Sequence, residues 1–120
     1  MSNDRVGNTI SIRVPTPDGT MFVHVIEDEK AMPIEILITI GKAGASVAAW
    51  AAAMSRTCTL LLEQGLSIND LIAEFSSLTT DRVSIMKDGS NIRSGPEGIA
   101  VALTKYRTGK FRELKQQLGA

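Results

Sequence analysis

The spacing of apolar residues along this chain changes from two to three-or-four and back, and the changes mark out its elements. In residues 8–14, Ile10, Ile12 and Val14 alternate with Thr9, Ser11 and Arg13, the pattern of a strand with one buried face. Pro15-Thr-Pro-Asp-Gly19 follows; proline fixes φ and Asp-Gly supplies a reversing corner, so residues 20–27 are expected to return antiparallel as a hairpin. A second polar turn, Asp28-Glu-Lys-Ala-Met-Pro33, leads into residues 33–41, whose β-branched content predicts a third strand. The first third of the chain therefore predicts a three-stranded meander.

From Ser46, read as an N-cap, the period becomes helical: Val47, Trp50, Met54, Cys58, Leu61 and Leu62 recur three and four residues apart. Ala48, Ala49, Ala51, Ala52 and Ala53 add a small-residue surface, and Gly65 closes the helix. Ser67 and Asp70 open a short second helix with Leu71, Ile72 and Phe75 on its apolar face, which gives a helical hairpin lying on the sheet. Val83 and Ile85 alternate with polar neighbours as a fourth short strand, and residues 88–95 read as an irregular loop. A helix opened by Ser94 and Pro96 carries Ile99, Ala100, Leu103 and Tyr106 to Gly109, with a basic C-terminal helix or tail over 108–120. The expected fold class is α+β: an antiparallel sheet, the meander plus a later strand, packed against a helical hairpin and a C-terminal helix. One domain is expected over residues 1–120, with its core at about 8–107.

Charge narrows the partners. Thirteen Lys and Arg balance thirteen Asp and Glu, which argues against the broad positive surface that duplex DNA requires. From Thr79 onward, however, Arg82, Lys87, Arg93, Lys105, Arg107, Lys110, Arg112 and Lys115 outnumber the acids, and a cationic patch of that size suits a small phosphorylated ligand. Cys58 is the only cysteine, so neither an intrachain disulfide nor a cysteine zinc cluster is expected. No signal-like stretch opens the sequence and no run is read as approaching a membrane span, so a cytoplasmic protein without membrane contact is expected.

Candidate chemistry is that of binding. His24 is the sole histidine and has no Gly-x-Ser-x-Gly elbow beside it. No metal site or cofactor is expected, and Glu27-Asp28-Glu29 reads as a solvated turn. Lys42, in Gly41-Lys-Ala-Gly44 ahead of a helix, is a candidate phosphate contact, although a full phosphate-loop motif is missing. Asn91 can donate and accept toward a purine edge or ribose, and Arg93 can grip phosphate with two prongs. Arg56, the lone charge among apolar helical residues, points to solvent, a ligand or a neighbouring subunit. Lys105 and Arg107 either face solvent or complete a pocket from an adjoining chain. One small chain struggles to enclose a dinucleotide-sized ligand, so a homo-oligomer is expected, through the alanine face or an exposed sheet edge.

The order of these features carries a resemblance. Glu35-Ile-Leu-Ile-Thr-Ile-Gly-Lys-Ala-Gly44, an Ala-rich helix with Arg56, Leu-Leu-Glu-Gln-Gly65-Leu and then Ser94-Gly95-Pro96-Glu97-Gly98-Ile99-Ala100 together resemble, over residues 20–106, the TSCPD domain of adenosylcobalamin-dependent ribonucleotide reductases. The name-giving motif there is Ser-Cys-Pro-Asp-x-Ile-Ala; Gly95 stands for the cysteine and Glu97 for the aspartate, so no redox or metal role tied to that cysteine carries over. In size and element order the chain is also similar to the small phage proteins that sequester nucleotide messengers, the anti-Thoeris and anti-CBASS sponges. These likenesses imply a non-catalytic, homo-oligomeric nucleotide binder, acting as a sponge for cyclic nucleotide or cyclic ADP-ribose-type signals and working in the host cytoplasm if phage-encoded. The alternatives are an accessory module docking on a ribonucleotide reductase and a small phosphodiesterase or lyase built on His24.

Overall fold

The computed structural model describes residues 6–41, 44–78, 84–85 and 91–117. Strands β1 (Val6–Thr16), β2 (Gly19–Asp28) and β3 (Pro33–Ile40) form one antiparallel sheet in that order, the expected meander. Its register sets Ile12 opposite Val23 and Val23 opposite Ile38, and likewise Ile10, Val25 and Ile36 in the next row. These rows share one face, on which Val14, Met21, Val23, Val25, Ile36 and Ile38 are buried. The turn into β3 is held by Asp28, whose Oδ1 accepts from the backbone N–H of Lys30 at 2.8 Å and of Met32 at 3.0 Å.

Helices α1 (Ala45–Glu63) and α2 (Ile68–Phe75) follow. The N-cap of α1 is Gly44, not the expected Ser46: Gly44 is extended and its carbonyl already accepts from Ala48 N–H at 3.0 Å, so Ser46 lies inside the first turn. Gly65, at φ +95, ends the helix by turning its own N–H back to the Leu62 carbonyl and that of Leu66 back to Leu61. α2 opens with the expected capping box, Asp70 N–H donating to Ser67 Oγ and Ser67 N–H to Asp70 Oδ2.

The later strand, β4 (Ser84–Ile85), pairs with β5 (Asn91–Ile92) in a sheet of their own. Asn91 and Ile92, assigned to a loop by sequence, are therefore strand residues. α3 (Gly95–Gln117) is a single 23-residue helix, which corrects the expected break at Gly109. One glycine inside a helix costs only about 1 kcal/mol, and the turns on either side of it are fastened by Thr108 Oγ1 on the Thr104 carbonyl and by the Lys110–Glu113 ion pair.

α3 crosses the inner face of β1 and β2, and α2 packs on α3. Between them lie Ile68, Leu71, Phe75, Ile99, Ala102, Leu103 and Tyr106, continuous with the sheet core. α1 instead runs along β3. Ser55 Oγ accepts from Ile38 N–H at 2.8 Å and donates to the Ala51 carbonyl one turn back at 2.8 Å, while Thr59 Oγ1 accepts from Ile36 N–H at 3.1 Å and donates to the Ile36 carbonyl at 3.2 Å. One turn apart on the helix, these hydroxyls occupy the outer edge of β3, where another strand would otherwise pair. By length and composition α1 is long and apolar enough to cross a membrane, a correction to the sequence reading. Its alanines raise the average hydropathy without adding bulk, and in this fold the helix lies against the strand.

Candidate functional site

The corner bearing the Ser94-Gly95-Pro96-Glu97 motif is built as a helix cap. Ser94 Oγ accepts from Glu97 N–H at 3.0 Å and donates to the Leu78 carbonyl, while the Glu97 carboxylate accepts from Arg93 N–H at 2.6 Å. Ser94 therefore satisfies one free amide in the first turn of α3, and the acid three residues on fastens the residue that precedes the cap. At Gly95 a side chain has no room: a Cβ there would lie 2.5 Å from Cη2 of Trp50. The indole fills the space where the resembled motif has its cysteine. Trp50, Ala53 and Met54 of α1, Pro17 and Asp18 of the hairpin turn, and Ser94, Gly95 and Pro96 line a cleft of about 420 Å³.

A second groove, of about 350 Å³, runs between β5 and α3 and is lined by Ser76, Asn91, Glu97, Ala100, Val101, Thr104 and Lys105. Asn91 and Lys105, fourteen positions apart in sequence, are brought together here, and both are exposed. The groove presents an amide, two hydroxyls and an ammonium. Its one carboxylate, Glu97, is engaged by Arg93, whose Nη2 lies 3.3 Å from Glu97 Oε2. Arg93 thus flanks the groove already paired with an acid.

The remaining candidates lie elsewhere. Arg56 is exposed in a groove of about 570 Å³ between α1 and β3, beside Glu35 and Glu63. Arg107 lines a shallow groove of about 270 Å³ with Tyr106 and Lys110, and its Nη1 donates to Asn69 Oδ1 at 2.6 Å. Lys42 falls outside the described residues.

Sequence reasoning missed a buried polar cluster. Glu27, read as part of a solvated turn, is fully buried at the end of β2. Its carboxylate accepts from Tyr106 Oη at 2.5 Å and is paired with Lys110 Nζ at 3.2 Å. Burial raises the Tyr106 hydroxyl above the ordinary tyrosine range, and the hydrogen bond to Glu27 and its charge add to the rise. At Lys110 burial works against the charge, but the carboxylates of Glu113 and Glu27 outweigh it and hold the ammonium above its ordinary value. The signal for Glu27 was in the register: it continues the inward set Met21, Val23, Val25.

His24 sits on the opposite face of the sheet, where Ser11 Oγ meets its Nδ1 at 2.7 Å and the Phe22 ring lies nearly parallel to the imidazole. Cys58 is buried and its thiol is pushed up to about 11, so it stays protonated and inert at neutral pH. Among the described residues no three His, Cys, Asp or Glu side chains gather as a metal site.

A family model described as the TSCPD domain matches residues 3–107. No curated protein and no solved structure matches the chain.

Proposed function

The chain belongs to the TSCPD domain family, and on that premise we propose that it is a non-catalytic, homo-oligomeric binding protein for a small phosphorylated nucleotide. The observation that carries this reading is the convergence of Asn91 and Lys105 on one groove beside α3. An amide can both donate to and accept from a base edge or ribose, and an ammonium attracts phosphate; together they complement the two halves of a nucleotide. The groove is open, whereas ligand sites bury most of their contents, so a wall from another copy completes it. Arg56 and Arg107, exposed at separate places on the surface, are the residues a neighbouring chain would contribute. Sequestration of cyclic nucleotide or cyclic ADP-ribose-type signals is the form of binding this equipment serves, because a sponge needs affinity and no turnover.

Calorimetric titration with cyclic di- and trinucleotides, cyclic ADP-ribose isomers and deoxynucleoside triphosphates tests the proposal. Saturable binding is expected, with the ligand recovered chemically intact, and Lys105→Glu should weaken it at least about tenfold by setting a carboxylate against the phosphate. Absence of binding at millimolar ligand overturns the reading, and conversion of the ligand makes the protein an enzyme. Docking on a ribonucleotide reductase, the second reading, is favoured by the family match alone; co-purification with a reductase and no nucleotide binding would select it.

A further inference from the structure

The outer face of the three-stranded sheet presents a three-by-three grid. Its rows are Thr9, Ile26 and Glu35; Ser11, His24 and Leu37; and Arg13, Phe22 and Thr39. All nine residues are exposed or half-buried, and Leu37 is 43% exposed. The middle of the grid is apolar and aromatic: Phe22 and His24 form a flat shelf with ring centroids 6.4 Å apart and planes within 9°, and the hydrogen bond to Ser11 fixes the imidazole. Ile26 and Leu37 flank it. Arg13 and Glu35 stand at opposite corners, and neither has an ion-pair partner among the described residues.

We propose that this sheet face is a twofold interface between two copies of the chain, with Arg13 of each copy paired to Glu35 of the other. Arg13 lies one strand and one alternate residue from His24, and Glu35 lies the same distance away in the opposite direction. A twofold axis through His24, in the plane of the interface and perpendicular to the Arg13–Glu35 diagonal, sets each corner of one copy over the other corner of its partner. With strands about 4.8 Å apart and alternate residues about 6.7 Å apart, that operation crosses the two sets of strands at about 70°, close to the orthogonal class of sheet packing. One symmetry operation thus buries Phe22, His24, Ile26 and Leu37 of both copies and makes the Arg13–Glu35 pair twice, once at each end of the diagonal. No other in-plane axis through His24 brings Arg13 over Glu35. The edge of β3 cannot serve instead, since Ser55 and Thr59 occupy it. Two three-stranded sheets crossing at this angle overlap over a small area, below the roughly 1,200 Å² that separates transient contacts from standard interfaces. The expected dimer is therefore reversible, in the micromolar range.

The inference names a self-association surface on the side of the sheet away from the α3 groove; it does not need the nucleotide or the wall invoked for that groove, so its test is run without a ligand. Sedimentation equilibrium of the full chain over micromolar to submillimolar concentrations should show a monomer–dimer equilibrium. Arg13→Glu and Glu35→Arg should each weaken dimerisation at least about tenfold, because each sets like charges against one another. The double variant should regain it, and an equimolar mixture of the two single variants should form a heterodimer, since both of its contacts are then of opposite sign. Both positions are exposed, and unchanged circular dichroism and melting confirm that the variants fold. A wild-type chain that stays monomeric throughout overturns the interface. So does assembly that neither substitution alters, or a mixture that associates no better than its components.

Discussion

At the scale of single residues, Glu27 shows how a fully buried carboxylate is kept: one hydroxyl and one ammonium, both from α3, replace its lost water. Tyr106→Phe removes the hydroxyl while preserving the ring, and should destabilise the chain by about 2 kcal/mol, the usual range for a hydrogen bond to a charged group, read by urea denaturation. The same contacts give stability a direction with pH. Tyr106 and Lys110 both have folded values raised above their ordinary 10.0 and 10.5. The unfolded chain therefore loses these protons first as pH rises, and the stability the groups contribute is complete below about pH 10 and lost above it. Thermal melts from pH 7 to 11 should show Tm falling above about pH 10, with a shallower fall in Tyr106→Phe; a fall of equal steepness would remove Tyr106 as its cause. Gly95 makes a different point: where the family motif has its cysteine, a Cβ would lie 2.5 Å from Cη2 of the Trp50 indole.

At the scale of elements, α1 acts on β3 through hydroxyls as well as through apolar contact. Its buried positions are Ala51, Ser55 and Cys58, spaced four and three apart. Ser55→Ala leaves Ile38 N–H buried without its acceptor and should cost about 1–3 kcal/mol. On a helix exterior the same change would instead stabilise by a few tenths, alanine being the better helix former. Chemical denaturation measures the cost, and amide hydrogen exchange at Ile38 should accelerate in the variant. Retained protection at Ile38 would mean that Ser55 does not cover this edge.

At the scale of the whole molecule, balanced net charge coexists with separated cations. Arg56, Lys105 and Arg107 line three different grooves, so no single copy gathers them around one anion. Lys105 is exposed, and its attraction for a phosphate is screened once the Debye length falls from about 10 Å at 0.1 M salt toward about 3 Å at 1 M. Nucleotide affinity should accordingly weaken by about tenfold across that range in titration calorimetry. Affinity indifferent to salt would argue that apolar contacts, such as those of the Trp50 cleft, do the binding.

Much of the fold was legible in the sequence because periodicity is a local property. Ile10, Ile12 and Val14 had to share a face, Ser67 with Asp70 had to begin a helix, and the meander followed from two short polar turns. The motif residue Ser94 also carried its capping role on its surface. What local pattern could not contain was which faces meet. Glu27 looked solvated because Asp28 and Glu29 follow it; the alternation placed it inward, but only the docking of α3 supplies the Tyr106 and Lys110 groups that let a carboxylate stay there. Nothing in the helical spacing singles out Ser55, and only the position of α1 beside β3 turns it into an edge cover. Asn91 and Lys105 become neighbours, and Arg13 and Glu35 become opposite corners of one face, through strand pairing and helix packing. Those relations depend on free energies summed over distant residues, so they belong to the tertiary structure and not to any stretch of the chain.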